Sequence, residues 1–81
     1  MNKEEFIKES NINIKELEFI EKLIKLRNIN DLSQRTLAAK TGINQPIIAN
    51  LERGKHSPTL NTLFKILDVY GYNLELKKDR K

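Results

Sequence analysis

The chain contains no cysteine, no tryptophan and only one histidine, His56. The absence of cysteine excludes disulfides and thiolate metal sites, and a lone histidine without a carboxylate cluster cannot form a zinc site. The sequence also has no phosphate-binding loop, no GxGxxG motif and no HExxH motif. Glu52 precedes His56 by one helical turn, but Gly54 interrupts the helix between them and no nucleophile accompanies them. We therefore expect no metal, no cofactor and no enzyme activity.

Long apolar runs are missing as well. No stretch approaches the roughly 20 apolar residues that span a bilayer, and Glu4 and Glu5 stand where a secretory signal would be basic and then apolar. The simplest expectation is a soluble, cytoplasmic protein without a membrane partner. A single domain of 81 residues buries only roughly 60% of its unfolded surface, so we expect self-association to supplement a thin core.

Charge is distributed unevenly along the chain. Residues 1–31 contain six Lys and Arg against seven Asp and Glu, and residues 66–81 contain four against three. Residues 32–65 contain five basic residues against Glu52 alone. This local positive excess favours a polyanionic partner for the middle of the chain.

Apolar periodicity and capping residues predict four helices. The first, about 14–28, has an inward stripe at spacings of three and four. The second, about 34–41, begins after Ser33 and ends at Gly42. The third, about 45–53, begins after Asn44 as its cap and tolerates a proline in its first turn. The fourth, about 60–70, begins after the N-cap Thr59 and ends at Gly71. Its predicted inward residues are Leu60, Leu63, Phe64, Leu67 and Tyr70.

After the fourth helix the pattern changes to a period of two. Tyr72, Leu74 and Leu76 alternate with polar residues and predict a short strand at about 72–77. A lone strand in a helical chain needs a partner, which a second copy can supply. We therefore expect an all-α, compact four- to five-helix bundle with a C-terminal strand. Its parts are an N-terminal extension of uncertain order at 1–13, a domain at 14–71, and a strand and basic tail at 72–81.

The segment 32–57, LSQRTLAAKTGINQPIIANLERGKHS, resembles the phage-repressor and Cro-like (XRE-type) helix-turn-helix family. The resemblance is carried by LSQ at 32–34, LA at 37–38, GI at 42–43, Gln45, Ile48, LE at 51–52 and Gly54. It implies a homodimeric repressor that binds a palindromic double-stranded DNA operator. The longer run from Asn44 to Leu76 also resembles the HigA-type antitoxin branch of that family.

The branch resemblance implies an antitoxin of a type II toxin–antitoxin operon, which represses its own operon and restrains a small toxin of the ribonuclease type. The alternative is a plain phage-type or chromosomal transcriptional regulator with no toxin partner. The neighbouring gene distinguishes the two, because an antitoxin gene abuts that of its toxin.

The family resemblance and the position on each helix assign the candidate site residues. Base reading falls to the third helix, where a glutamine or asparagine amide can contact base edges in the major groove, with Gln45, Pro46 and Asn50 as candidates. Phosphate binding falls to helix ends and basic residues, with Gln34, Asn44, Arg53, Lys55 and Thr59 as candidates. Two alternatives stay open: Asn44 either only caps the third helix or caps it and also contacts phosphate, and Ile47 either covers the core edge or reaches the groove.

Two charged residues are assigned to structure instead of DNA binding. Arg27 and Glu52 each lie on an otherwise apolar stripe, and the family has an arginine and a glutamate that pair at these two places. We expect them to join the first helix to the third. The chain departs from the family at Asp31, where many relatives have glycine in the turn. Aspartate tolerates the left-handed backbone region better than most residues, so we expect the turn to survive.

Overall fold

The computed structural model describes residues 12–79. It contains four helices, α1 (Ile14–Ile29), α2 (Gln34–Thr41), α3 (Gln45–Glu52) and α4 (Leu60–Tyr70). The helical fold is confirmed, and each boundary lies within a residue of its prediction. No fifth helix occurs among residues 12–79, and the expectations for residues 1–11 and 80–81 lie outside the described residues. None of the described helices is long and apolar enough to span a membrane.

Local capping explains why the helices begin and end where they do. A side-chain oxygen before three of the helices accepts a backbone amide of the first turn, which satisfies one of the unpaired donors there. Asn13 accepts the amide of Lys15 at 2.8 Å, Ser33 accepts that of Thr36 at 3.0 Å and Thr59 accepts that of Thr62 at 3.1 Å. Gly42 and Gly71 end α2 and α4 with φ of 74° and 78°, in the left-handed region that glycine adopts without strain.

One apolar core holds the helices together. Helix α3 packs against α1 and α2, and α4 packs against α2. Each fully buried aliphatic side chain contributes about 1.5–3 kcal/mol relative to exposure. The buried residues of this core are Ile12, Ile20, Leu23, Leu37, Ile48, Leu51, Ile66 and Leu67. Ile12 belongs to the core even though the sequence assigned it to the N-terminal extension.

The inward stripe predicted for α4 is wrong in part. Leu60 and Phe64 are 65% and 44% exposed, whereas Ile66 is buried. The helix is rotated so that residues 63, 66, 67 and 70 face inward, which also satisfies the spacing of three, four and seven. Both stripes are apolar in the sequence, and packing against α2 selects between them.

The predicted strand at 72–77 is not formed. Residues 72–79 carry neither helix nor strand in the single chain, because a strand exists only through hydrogen bonds to a neighbour and the described residues offer none. Leu74 packs against the core, whereas Leu76 is fully exposed.

Candidate nucleic-acid interface

A short turn sets the orientation of α3 relative to α2. After Gly42 the chain turns sharply, and the Thr41 hydroxyl donates to the Leu37 carbonyl at 2.8 Å and accepts from the Ile43 amide at 3.2 Å. Ile43 is partly buried against the core. The turn is therefore held by its own hydrogen bonds and by an apolar anchor, which gives the helix pair a defined geometry.

Asn44 occupies the N-cap position of α3 but does not cap it with its side chain. A capping side chain accepts the amide of the second or third helical residue. Here the second residue is Pro46, which has no amide hydrogen, and the amide of Ile47 already donates to the Asn44 carbonyl at 3.0 Å. The expected side-chain cap is thus wrong, and the Asn44 side chain is exposed instead.

The two faces of α3 differ in chemistry. Ile48 and Leu51 are 1% and 3% exposed and anchor the helix in the core. Gln45 and Pro46 are exposed at the first turn, and Asn50 is partly exposed one turn later. All three predicted base readers therefore lie on the accessible side of a helix whose opposite side is fixed.

Asn50 and Arg53 contact each other at the C-terminal end of α3. The Arg53 guanidinium donates from Nη2 to Asn50 Oδ1 at 3.0 Å and from Nε to the Ala49 carbonyl at 3.4 Å. The pairing occupies the oxygen of the Asn50 amide and leaves its Nδ2 as a donor. The sequence interpretation missed this contact, although the spacing of three residues on a helix was a signal for it.

Ile47 is half exposed and lines a cavity between α3 and the segment that leads into α4. The walls of this cavity also include Asn50, His56, Pro58 and Thr62. Of the two possibilities for Ile47, the structure favours the accessible one. Its methyl groups are available to a partner beside the polar groups of α3.

The predicted phosphate-binding residues lie at helix ends. Gln34 is the first residue of α2, and Thr59 is the N-cap of α4. Arg53 is the C-cap of α3, and Lys55 lies in the loop that follows. The Lys55 amide donates to the Asn50 carbonyl at 2.9 Å. All five basic side chains of residues 32–65 are exposed, namely those of Arg35, Lys40, Arg53, Lys55 and Lys65.

The single acidic residue of this region is paired. Arg27 of α1 donates from Nε to Glu52 Oε2 at 2.8 Å and from Nη2 to Oε1 at 2.9 Å. The hydrogen bonds to Glu52 raise the pKa of Arg27 above its usual value, against the lowering effect of burial. A third hydrogen bond joins Arg27 Nη1 to the Leu32 carbonyl at 2.8 Å. One guanidinium thus connects α1, the turn before α2 and the last residue of α3.

Glu52 also accepts a hydrogen bond from Gln34. The distance from Gln34 Nε2 to Glu52 Oε1 is 3.0 Å. The sequence interpretation assigned Gln34 to phosphate and Glu52 to Arg27 but did not connect them. The two positions are 18 residues apart, so no local spacing could have indicated the contact.

Tyr70 of α4 lies close enough to this ion pair to interact electrostatically with both of its charges. Its hydroxyl oxygen is buried and has no hydrogen-bond partner within residues 12–79. Burial raises the pKa of Tyr70 above its usual value, the positive charge of Arg27 lowers it and the negative charge of Glu52 raises it. The Tyr70 hydroxyl therefore lacks a hydrogen bond among the described residues, whereas the Arg27–Glu52 pair beside it is hydrogen-bonded to its neighbours.

The turn between α1 and α2 contains Asp31 with a φ of 55°. This is the left-handed backbone region, which we expected Asp31 to tolerate. The turn places Leu32 so that its carbonyl accepts from Arg27 and its amide donates to the Arg27 carbonyl at 3.1 Å.

Comparison with known proteins agrees with this geometry. The helix-turn-helix family HTH_3 matches residues 23–77. An uncharacterised HTH-type transcriptional regulator of Haemophilus influenzae is 38% identical over 73 residues, which are 90% of this chain and 71% of that protein. A second, of Methanocaldococcus jannaschii, is 37% identical over 67% of this chain and 82% of its own length. The HTH-type transcriptional regulator PuuR of Escherichia coli is 40% identical over 65% of this chain but only 29% of its own length.

No solved structure matches the chain. The relatives named above are transcriptional regulators, and these matches do not place the chain in the HigA-type antitoxin branch. The family match and the relatives extend over the region that contains α2 and α3. The chain therefore belongs to the XRE-type helix-turn-helix family of DNA-binding transcriptional regulators.

Proposed function

We propose that this regulator is a homodimeric repressor that inserts α3 into the major groove of a palindromic operator. The observation that supports this most strongly is the division of α3 into two faces. Ile48 and Leu51 are buried, while Gln45 and Asn50 present side-chain amides on the accessible side. Base discrimination depends on donors and acceptors held in fixed positions, and a helix anchored on its opposite face holds them in this way.

The base readers differ in what they can recognise. Gln45 is exposed and can pair bidentately with N6 and N7 of adenine, worth about 1–3 kcal/mol of discrimination. Asn50 has its oxygen engaged by Arg53, so its Nδ2 donor suits an acceptor such as guanine O6 or thymine O4. Pro46 has no donor and offers apolar contact to a thymine methyl.

The remaining site residues position the duplex. Amide groups of Gln34 and Asn44 and the first turns of α2 and α4 donate to phosphate oxygens, since helix N-termini carry unpaired amides. Arg53 and Lys55 neutralise phosphates and release counterions, which makes affinity depend steeply on salt. The exposed basic side chains of residues 32–65 attract DNA towards this part of the chain.

The test is selection of a duplex from a random library by the protein, followed by binding titrations at several salt concentrations. We expect a palindromic site and an affinity that falls linearly with the logarithm of salt. The double variant Gln45→Ala/Asn50→Ala should lose on the order of 10- to 1,000-fold in affinity for that site and little for mixed-sequence DNA. The matched control is Asn73→Ala, an exposed amide outside the helix pair. Unchanged binding of the double variant refutes the site, and salt-insensitive or undetectable binding refutes the function.

We propose the homodimer from the apolar surface that the single chain leaves exposed. Leu60 and Phe64 lie one turn apart on α4, and Tyr72 and Leu76 follow in the C-terminal segment. Two copies joined there would present two α3 helices to half-sites about one DNA turn apart. The alternation at 72–77 gives the C-terminal segment the pattern of a strand that pairs with its copy.

Sedimentation of two variants separates the two surfaces. Phe64→Asp disrupts association through α4, whereas Leu76→Asp disrupts association through the C-terminal segment, because each would bury an unpaired carboxylate. A variant that becomes monomeric should also bind the operator more weakly. A wild-type chain that sediments as a monomer both alone and on the selected duplex contradicts the dimer.

The antitoxin role is the finer form of this proposal, and it adds a toxin as protein partner. Ile14 and Ile29 on α1 are exposed apolar side chains outside the helix pair, available to such a partner. The test is co-expression with the product of the adjoining gene. A stable complex and relief of growth inhibition support the antitoxin. Absence of both, with intact operator binding, supports a plain regulator without a toxin.

A further inference from the structure

We infer that Glu52 is a positioning residue for DNA binding, and that it orients the Gln34 amide towards a phosphate. The inference rests on the proposed phosphate contact of Gln34. It begins from the 3.0 Å hydrogen bond between Gln34 Nε2 and Glu52 Oε1. A role for Glu52 confined to pairing with Arg27 does not account for this third interaction of the carboxylate.

The chemistry of the two groups determines the orientation. A primary amide has two hydrogens on nitrogen and an acceptor oxygen, whereas a carboxylate only accepts. Glu52 therefore holds one hydrogen of Gln34 Nε2 and leaves the second free. A phosphate oxygen also only accepts, so it needs that second hydrogen. Without the carboxylate, the amide can rotate and direct its oxygen at the phosphate, which is repulsive.

Arg27 makes this arrangement compatible with DNA. A bare carboxylate beside a phosphate would repel it, but Arg27 donates two hydrogen bonds to Glu52. The pair is neutral as a unit, so it can orient Gln34 without opposing the duplex. The side chains of Arg27 and Glu52 are only 14% and 9% exposed, so the support for Gln34 is rigid. The pair that joins α1 to α3 thus also supports the phosphate contact of α2.

A binding cycle tests the link. The variants are Gln34→Ala, the pair replacement Arg27→Met/Glu52→Met, and all three changes together. The paired replacement keeps side-chain volume and leaves no unpaired charge, so it preserves the fold. The probe is a fluorescent mixed-sequence duplex of roughly 20 bp at about 50 mM salt, because phosphate contacts do not depend on sequence and are strongest at low salt.

In the wild-type background we expect Gln34→Ala to weaken binding on the order of tenfold, as for one hydrogen bond to a charged group. In the paired replacement the same change should weaken binding by less than about threefold, since the amide is no longer oriented. The matched control Lys55→Ala, which removes an exposed phosphate contact, should give equal factors in both backgrounds, because the Lys55 side chain does not hydrogen-bond to Glu52. Equal factors for Gln34→Ala in the two backgrounds overturn the inference.

A spectroscopic readout does not depend on DNA. In wild-type protein the two side-chain amide protons of Gln34 should be widely separated in chemical shift, with the one bonded to Glu52 downfield. The separation should collapse to that of a solvated glutamine in the paired replacement. An unchanged separation overturns the inference. Failure of the wild-type chain to bind any duplex refutes the proposed function instead, and the spectrum then still decides whether Glu52 orients Gln34.

Discussion

The Arg27–Glu52 pair gives the sharpest prediction about stability. Arg27 donates three hydrogen bonds, two to Glu52 and one to the Leu32 carbonyl. The Arg27→Met variant removes all three and leaves a carboxylate, 9% exposed, with Gln34 as its remaining partner. Loss of one partner of a buried pair costs about 3–5 kcal/mol. We expect Glu52→Met to cost less, because an arginine can extend its charged end to solvent.

The expected loss is large relative to the whole. At 0.05–0.15 kcal/mol per residue, a chain of 81 residues has a free energy of unfolding of roughly 4–12 kcal/mol. Since 1 kcal/mol shifts Tm by about 4–8 °C in a domain of this size, Arg27→Met should lower Tm by roughly 12–40 °C. The double variant Arg27→Met/Glu52→Met should recover most of this loss, because it buries no unpaired charge.

Urea and thermal unfolding followed by circular dichroism measure these differences. The matched control is Lys25→Met, an exposed basic residue of the same helix, which should change stability by less than about 0.5 kcal/mol. Single variants as stable as this control would refute the reasoning about burial. A double variant no more stable than Arg27→Met would show that the hydrogen bonds, and not the unpaired charge, carry the effect.

Two further stability predictions follow from backbone strain and from an unpaired hydroxyl. Asp31→Gly should stabilise the chain by up to about 1 kcal/mol. A non-glycine residue is strained by about 1–2 kcal/mol at a φ of 55°, and the greater freedom of glycine in the unfolded chain offsets part of the gain. An Asp31→Ala variant that is equally stabilised in urea titrations would contradict this. Tyr70→Phe should be neutral or stabilising by about 1 kcal/mol, since the buried hydroxyl has no partner among the described residues. The raised pKa of Tyr70 means that the native state keeps its proton when the unfolded state loses it, so wild-type stability falls as pH rises above about 10. That alkaline loss should be smaller in Tyr70→Phe, and identical pH profiles of the two proteins would show that the tyrosine is not responsible.

Much of the fold was predictable because helix boundaries depend on neighbours in the chain. Ser33 and Thr59 cap the amides three residues ahead, and Gly42 and Gly71 end their helices through their own backbone conformation. These interactions lie within one turn, so the sequence specifies them directly. The turn at Asp31 was expected from the family resemblance together with the tolerance of aspartate for the left-handed region.

The errors arose where the environment of a residue matters more than its neighbours. Leu60 and Phe64 fit an inward stripe as well as Ile66 does, and only packing against α2 shows which one is buried. Residues 72–77 have the alternation of a strand, but a strand requires a partner chain segment that residues 12–79 do not supply. The Asn44 side-chain cap is a separate error with a local cause, because Pro46 has no amide hydrogen and the Ile47 amide donates to the Asn44 carbonyl instead.

The sequence by itself determined that this is a small helical chain with a helix-turn-helix at residues 34–53 and a basic middle. It also identified Arg27 and Glu52 as charged residues on apolar stripes. Only the tertiary structure showed that Glu52 holds the Gln34 amide as well. Capping and periodicity act over one or two helical turns, whereas the orientation of the Gln34 amide depends on a carboxylate 18 residues away, brought beside it by the packing of α1, α2 and α3.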